Sequence, residues 1–359
     1  MRVLIVSRPD AESKPGGDIT LLESVATALR ELGIDVTVTT ALDPNARGYD
    51  VAHLFGVFDP PRARRQTDAL VRSGVPLVIT PVWWDRSGLF ALAPRVERIL
   101  RDRNTARIDA RLEKLRRDER HLTHHAGKGA ERWRAAQAEI LGRASLVLAG
   151  SNVEAFACSA MLGVHDVPYM VALYGVDDEA FDVPRPQRRN GIICVGRLQS
   201  LKNQAMLLYA LRDTDLEITL VGQCFDPPYG ELCRRLATPN TRFVERVPRA
   251  ELLAMMAHAE VHVLPSWADL PGFVSLDAAA VGARVVAGTR GSEREYLGPD
   301  VAYVDPLDPD EIYAAVMGEI ARGPRDRGDA LERRIGALTW ESNAQITLEA
   351  YARVLGGRR

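Results

Sequence analysis

The chain has 359 residues, a length that suggests two domains of ordinary size. Hydrophobic residues make up 46% of it and charged residues 26%, a globular composition that excludes disorder over most of the chain. The 46 basic and 48 acidic residues leave a formal charge of -2. This balance argues against a protein whose whole surface is built for nucleic acid, and we expect no nucleic-acid partner.

The start of the chain and its cysteines indicate the compartment. Residues 2–7 are too short an apolar run for a signal peptide, and a polar segment rich in Pro and Gly follows them. No run approaches the roughly 18 apolar residues of a membrane span. The four cysteines form no Cys-x-x-Cys motif, so we interpret them as small hydrophobic side chains in a reducing compartment. The sequence therefore predicts a cytoplasmic protein.

The N-terminal third alternates short apolar runs with helical patterns. A helix is predicted over residues 20–32, and Ser151 with Glu154 three residues later predicts a capped helix start. Strand–helix–strand alternation is typical of a parallel sheet covered by helices on both faces. The predicted strands are residues 2–7, 35–39, 50–54, 76–80 and 144–149.

Between residues 84 and 142 the pattern changes, and we interpret residues 95–143 as a basic pair of amphipathic helices inserted into the first domain. This insert has 14 Lys or Arg against 8 Asp or Glu. Its apolar stripe either packs on the first domain, or docks on an anionic membrane, or contacts an acidic acceptor or partner chain. The stripe lacks Trp and Phe, so we expect at most weak, salt-sensitive membrane association. Its members are Val96, Ile99, Leu100, Ile108, Leu112 and Leu115.

The same alternation restarts after a Pro- and Arg-rich segment, which indicates an α/β protein of two facing Rossmann-like doubly wound domains. We assign residues 1–172 to the N-terminal domain and 173–190 to a linker. Residues 191–335 form the C-terminal domain, and a helix in 336–359 is expected to cross back to the first domain. Ligands of such sheets bind beyond the carboxyl ends of the strands. The predicted strands are residues 191–196, 216–222, 241–244, 261–265 and 284–287.

Two common nucleotide-binding motifs are missing from the sequence. The first predicted strand is not followed by Gly-x-Gly-x-x-Gly, and no Walker A pattern occurs, which disfavours a nicotinamide enzyme and a P-loop hydrolase. The pair Gly16-Gly17 precedes a helix instead. It either lets backbone amides approach a phosphate or sugar, or forms a plain loop.

Two later segments carry charged residues in positions that suit ligand binding. Arg197 and Lys202 lie five residues apart, between a strand end and a helix, which suits a diphosphate; the alternative is that Arg197 pairs with a structural carboxylate. Asp269 and Asp277 lie eight residues apart around a Pro-Gly loop that enters a helix. These acids either face a ligand together with the amides of residues 272–275 or cap a helix.

These segments resemble the retaining glycosyltransferases of family 4, which have the GT-B fold. The family hallmark Glu-x7-Glu appears here as Asp269-x7-Asp277, within a pattern similar to a subgroup with a Pro-Gly loop between the two acids. The resemblance covers essentially the whole second domain and is diffuse in the first. It continues through Gly175-Val176-Asp177, Gly196-Arg197-Leu198, Lys202-Asn203, Gly291, Glu295-Tyr296, Val304-Asp305-Pro306 and Thr339-Trp340-Glu341.

The resemblance implies a hexosyl transfer from a nucleoside-diphosphate sugar, with no resident cofactor and no metal. Arg197 and Lys202 would bind the diphosphate and Asp277 the ribose hydroxyls. Asp269 would hold the donor sugar and, with Arg197 and Lys202, act in catalysis. The remaining donor-site residues would be Gly17, Gly272, Phe273, Val274 and Glu295. We interpret His121, His124 and His125 as a solvated loop rather than a zinc site.

The sequence departs from the family pattern at the two acids and on the acceptor side. Both family glutamates are aspartates, each one methylene shorter. The His that many members carry after the fourth strand is missing from residues 80–85, where Trp83 and Trp84 either stack on a sugar ring or pack in the core. The acceptor, expected to be held mainly by the first domain, is a glycan, a lipid-linked molecule or a small molecule. Two alternatives stay open: a degenerate transferase acting as a sugar-binding or partner subunit, and a sugar-nucleotide epimerase.

Overall fold

The computed structural model describes residues 1–13, 16–124 and 127–356. It divides the chain into two compact units, each of which is described by itself below. Unit 1 comprises Met1–Asp85, Gly127–Gly175 and Leu338–Arg359, and unit 2 comprises Arg86–Ala126 and Val176–Ala337.

The described part of the chain forms twelve strands and fifteen α-helices, in the following order. The first half contains β1 (Arg2–Val6), α1 (Gly17–Glu31), β2 (Asp35–Thr39), β3 (Val51–Phe55), α2 (Pro60–Arg72), β4 (Leu77–Thr80), α3 (Ser87–Leu100), α4 (Thr105–His124), α5 (Gly127–Leu141), β5 (Leu146–Ala149), α6 (Asn152–Leu162), β6 (Tyr169–Val171) and α7 (Glu179–Asp182). The second half contains β7 (Ile192–Val195), α8 (Gln204–Ala210), β8 (Ile218–Val221), α9 (Pro227–Leu236), β9 (Thr241–Val244), α10 (Arg249–His258), β10 (Val261–Leu264), α11 (Phe273–Ala280), β11 (Arg284–Gly288), α12 (Glu293–Leu297), β12 (Ala302–Val304), α13 (Pro309–Ala321), α14 (Ala330–Gly336) and α15 (Trp340–Gly356).

Each unit contains one parallel six-stranded sheet. Unit 1 has the strand order β2-β1-β3-β4-β5-β6 and unit 2 the order β12-β11-β10-β7-β8-β9. Numbered within unit 2, its order is the 3-2-1-4-5-6 of a Rossmann sheet read from the other edge. The order reverses between β7 and β10, so the crevice beyond their carboxyl ends is the topological switch point. The predicted α/β fold with two Rossmann-like parts is confirmed.

The position of the basic insert differs from the sequence interpretation. The helices α3 and α4 belong to unit 2, and only α5 belongs to unit 1. The expectation that the stripe packs on the first domain is therefore wrong. Its side chains are buried in the core of unit 2, because α3 packs against α8 and α9 there and α4 packs against α3. The buried stripe residues are Val96, Ile99, Leu100, Ile108, Leu112 and Leu115.

The predicted linker is also part of unit 2 from Val176 onward. Its Arg185 donates to the carbonyl of Ala280 at 3.1 Å, and Arg189 donates to that of Val281 at 2.9 Å. Helices end with unpaired carbonyl oxygens and a partial negative charge, so arginines stabilise this end of α11. The segment is anchored on unit 2 rather than being a free connection.

The C-terminal helix α15 completes unit 1. Asn343, Thr347 and Tyr351 lie on its buried face at helical spacing. The hydroxyl of Tyr351 is 2.7 Å from Nδ1 of His53 on β3, and the amide of Asn343 donates to the carbonyl of Ala172 at 3.1 Å. Polar side chains thus hold α15 to the sheet in addition to apolar packing.

The structure contains several short elements that were not predicted from the sequence. The predicted cap at Ser151 is confirmed, since its hydroxyl accepts from the N–H of Glu154 at 2.9 Å. The three-residue strands β6 and β12 were not predicted, nor were α2, which opens with two prolines, and α13. None of the helices in the described ranges is long and apolar enough to cross a lipid bilayer.

Candidate functional site

The candidate site lies at the switch point of unit 2, where the loops after β7 and β10 begin. Gly196 follows β7 with a φ of 153°, and a Cβ there would lie 3.3 Å from Cγ of Lys202. Gly222 follows β8, and a Cβ at that position would lie 2.2 Å from the carbonyl oxygen of Gly196. Glycine is therefore required at Gly222, because the two backbones pass too close there for a side chain, and the positive φ favours glycine at Gly196.

Lys202 and Asp269 form the central ion pair of this site. Nζ of Lys202 donates to Oδ1 of Asp269 at 2.5 Å, with side chains 14% and 11% exposed. Asn203 follows in the left-handed conformation, with a φ of 57°. Its amide donates to the carbonyls of Pro265 at 3.1 Å and Pro306 at 2.8 Å, which fixes the loop before α8 to the loop after β10. The sequence predicted both charged residues and not their pairing.

Arg197 occupies a different environment from Lys202. Its side chain is exposed, and its guanidinium carbon lies 5.8 Å from the centre of the Phe225 ring. Among the residues that the structure describes, Arg197 has no salt bridge of the kind the structural alternative required. The guanidinium is thus available to an anion, while an aromatic face limits the directions in which it points.

The loop that carries Asp269 is held by the loop after β11. The carbonyl of Asp269 accepts the N–H of Ser292 at 3.1 Å, and a Cβ at Gly291 would lie 2.3 Å from that carbonyl oxygen. Gly272 then adopts a φ of 75° as the residue before α11. Phe273 and Val274 form the first turn of this helix, whose N-terminal end carries a partial positive charge. The predicted sugar-binding amides are therefore placed on a helix terminus.

Asp277, the second acid of the Asp-x7-Asp spacing, faces Arg249. Its oxygens accept two hydrogen bonds from the guanidinium, at 2.9 and 3.1 Å. Burial raises the pKa of Asp277, and the hydrogen bonds and charge of Arg249 oppose that rise. A carboxylate has about four lone-pair sites, so the two hydrogen bonds from Arg249 do not use all of them. Arg249 itself was not predicted from the sequence.

A buried acid that the sequence analysis missed lies beside this loop. The predicted residue Glu295 is half-buried in α12, and its N–H donates to the carbonyl of Ser292 at 2.9 Å. Glu293, two residues earlier, is 1% exposed, and its Oε1 accepts the hydroxyl of Ser275 at 3.1 Å. The signal available in the sequence was the position of Glu293 at the end of the loop that follows β11, on the carboxyl side of a strand near the switch point.

The remaining predicted residues lie in unit 1 or outside the described residues. Trp83 is 3% exposed and its indole N–H donates to Gln137 at 2.8 Å, so it is a core residue, while Trp84 packs half-buried against the same cluster. Gly17 is the first residue of α1. His125 and the side chain of His124 lie outside the described residues. Within those described, no three His, Cys, Asp or Glu side chains are grouped as metal ligands.

Comparison with known proteins finds that the second part of the chain is similar to a known sequence family. Residues 189–320, which include every strand of unit 2 and the Lys202–Asp269 pair, match the family described as glycosyl transferases group 1. A D-inositol 3-phosphate glycosyltransferase of Kribbella flavida is 30% identical over 59% of this chain and 57% of its own length. A mannosyltransferase of Mycolicibacterium hassiacum, MMP alpha-(1->4)-mannosyltransferase, is 30% identical over 50% and 47%. The chain thus spans about half the length of these curated relatives.

Solved structures resemble the whole chain in fold. Sucrose-phosphate synthase from Thermosynechococcus elongatus superposes with a TM-score of 0.70 at 16% identity, over 99% of each chain. The Anabaena protein HepE in complex with UDP gives 0.66 at 17% identity, over 98% of this chain and 100% of that one. At these identities the likeness shows the fold alone, which is the α/β fold expected for the GT-B class.

Proposed function

We propose that this protein is a retaining glycosyltransferase of family 4, in the subgroup with a Pro-Gly loop between the two acids. It would transfer a hexosyl group from a nucleoside-diphosphate sugar to an acceptor hydroxyl. The observation that carries the proposal is the Lys202–Asp269 ion pair at the switch point of the unit that matches the family. In open α/β sheets this crevice is where nucleotides bind.

In this proposal the cations Arg197 and Lys202 bind the diphosphate. Arg197 supplies a planar fork and Lys202 a compact charge, and the N-terminus of α11 adds its partial positive charge. Stabilising the negative charge that develops on the leaving diphosphate is then the main catalytic task. Because these groups already supply the positive charge, we propose that the reaction needs neither a metal ion nor a cofactor.

Asp269 is assigned to the donor sugar and Asp277 to the ribose. Oδ2 of Asp269 is buried without a hydrogen-bond partner in the described part of the chain, which supports a role as acceptor for a ligand hydroxyl. No enzyme nucleophile is evident from the sequence, so we propose front-face attack by the acceptor, with the departing phosphate taking the hydroxyl proton.

Unit 1 is proposed to bind the acceptor, and the cytoplasm is the proposed compartment. The burial of Trp83 argues against sugar stacking by that ring and leaves Trp84 as the aromatic candidate. Relatives named for D-inositol 3-phosphate and for mannosyl transfer supply the first acceptors and donors to assay.

Turnover of nucleotide sugars tests the proposal. Purified protein is incubated with UDP-glucose and GDP-mannose, with and without D-inositol 3-phosphate and simple glycans, and products are resolved by mass spectrometry. Acceptor-dependent release of nucleoside diphosphate with an α-linked product, read from the anomeric proton signal, is expected. Free sugar formed without acceptor would indicate an epimerase. Tight nucleotide binding with no turnover under any condition would favour the degenerate subunit.

A further inference from the structure

A buried glutamate lies against the turn that precedes α11. Glu293 is 1% exposed, and a Cβ added at Gly272 would lie 2.4 Å from its Oε1. Its Oε1 accepts a hydrogen bond from the hydroxyl of Ser275, which lies two residues after Phe273, the first residue of α11. Oε2 is buried and has no hydrogen-bond partner among the described residues. The carboxyl group thus contacts a neutral hydroxyl and a glycine.

A carboxylate in such a place is unfavourable, because a buried charge needs a cation or several donors. Burial raises the pKa of Glu293 well above its usual range, and the negative charge of Asp269 raises it further, against the opposing charge of Lys202. Since Oε1 accepts a hydrogen bond, the proton belongs on Oε2. This leaves Glu293 with a donor that has no acceptor, beside an Asp269 whose Oδ2 has no donor.

The groups that face Glu293 agree with a neutral acid. Lys202 is already paired with Asp269. His262 on β10 lies behind Ser275, with Nε2 3.4 Å from its hydroxyl oxygen, and burial lowers the pKa of His262 to about 3. Because the Ser275 hydroxyl donates to Glu293, its oxygen accepts the proton of Nε2, which leaves Nδ1 unprotonated. Tyr303 on β12, whose pKa burial raises and Glu293 raises further, is also uncharged.

We propose that Glu293 is a positioning residue that, as a neutral acid held by Ser275 and packed on Gly272, fixes the Asp269 loop against α11 and leaves Lys202 a single anionic neighbour. The inference rests on the proposed function, because the anion that Lys202 would serve is the donor diphosphate. If Glu293 lost its proton, a second negative charge would stand beside that site. We expect roughly tenfold weaker diphosphate binding, the effect of a coupling of one pKa unit.

The protonation state is tested without any ligand. Infrared difference spectra at neutral pH compare the wild type with E293Q and with the matched control E319Q. Glu319 is also buried in unit 2 but, unlike Glu293, makes salt bridges to Arg322 at 2.9 Å and to Arg284 at 3.5 Å. The band of a protonated carboxyl group is expected to disappear in E293Q and to persist in E319Q. If the E293Q spectrum keeps this band at the strength it has in the wild type, the inference is overturned.

Binding of UDP, GDP and inorganic pyrophosphate, measured by calorimetry from neutral to alkaline pH, tests the positioning role. E293A is expected to weaken binding about tenfold, and E293Q to restore most of it, since Gln keeps the shape without ionising. The wild type should lose affinity at the alkaline end and E293Q should not. Equal loss in E293Q and E293A, or parallel pH profiles of wild type and E293Q, overturns the proposal. Protonated Glu293 in a protein that binds none of these probes would instead overturn the proposed function.

Discussion

Arg249 holds Asp277 in a bidentate ion pair, with Nη1 2.9 Å from Oδ2 and Nη2 3.1 Å from Oδ1. The Asp277 side chain is 9% exposed, whereas that of Arg249 is 39% exposed. The same guanidinium also pairs with Asp177 at 2.9 Å and with Glu179. One arginine therefore orients the acid proposed to bind ribose and ties it to the segment before α7.

Replacing Arg249 by alanine should destabilise unit 2 by about 3 kcal/mol, because it leaves a buried carboxylate without its cation. Urea unfolding followed by circular dichroism measures this. R249K should recover only part of the lost stability, since an ammonium group cannot make the planar contact of two hydrogen bonds. The double variant R249A/D277N should be more stable than R249A alone, because the uncompensated charge is gone. An R249A protein as stable as the wild type would contradict the argument.

Arg197→Ala and Lys202→Ala should each lower kcat/KM for the proposed transfer by about 10²–10³, as loss of one donor to a developing oxyanion does. The structure predicts that the two substitutions differ in their effect on stability. K202A leaves Asp269 unpaired and should also lower the free energy of unfolding, whereas exposed Arg197 should not affect it. R242A on exposed β9 is the control for loss of a surface arginine. Wild-type turnover in both variants would refute the phosphate assignment.

Buried histidines, one in each unit, predict sensitivity to acid. Burial lowers the pKa of His53 in unit 1 and of His262 in unit 2 to about 3. Histidine in the unfolded chain has a pKa near 6.5, so below that pH the unfolded state binds a proton that the folded state does not bind. The free energy of unfolding therefore decreases as the pH is lowered. At pH 5 the loss is about 2 kcal/mol per histidine. Urea midpoints from pH 7 to pH 5 measure it, and H53Q should flatten the profile of unit 1.

Leu112→Ala should cost unit 2 about 2–5 kcal/mol, the usual range for a fully buried leucine in a core. Leu112 is 2% exposed and belongs to the same cluster as β7 and α8. Thermal unfolding of L112A against the wild type measures the loss. A matched control is R111A, one residue earlier on the exposed side of α4. Equal stability of L112A and R111A would mean that α4 does not pack on unit 2.

Anionic vesicles should bind the protein weakly at most, and only at low salt. The apolar stripe of α3 and α4 is buried in unit 2, so lipid would meet the arginines of the outer face and not the stripe. Such contacts weaken as salt screens them. Co-sedimentation with phosphatidylserine vesicles at low and physiological salt provides the measurement. Binding that persists at high salt would show that another apolar surface inserts.

Sequence reasoning predicted most strands of both sheets, because these are short apolar runs bounded by turn residues. Residues 241–244 were predicted as a strand, and β9 has those bounds. The short strand β6 was not predicted, because its three residues are only half-buried and follow a proline. The acidic spacing and the Arg197–Lys202 pattern were visible because they fall in the loops beyond the strands.

The partners of these residues were not predictable, because each partner comes from a distant segment of the chain. Asp269 and Lys202 are 67 residues apart. Arg249 and Asp277 are 28 residues apart, and nothing in local composition selects one arginine out of 42. Helical spacing identified the stripe on α3 and α4 but carried no information on which sheet it covers. An amphipathic helix shows that it has a buried face and not where that face docks.

The C-terminal helix α15 lies in unit 1, although all of unit 2 precedes it in the chain. The chain passes from one unit to the other after residues 85, 126, 175 and 337. During synthesis, the ribosome therefore makes every residue of unit 2 before it makes the last helix of unit 1. Tyr351, whose hydroxyl contacts His53, is made 298 residues after it. The unit whose first strand emerges earliest is completed last, and until then its nascent sheet exposes the surface that α15 covers, a state in which chaperones act.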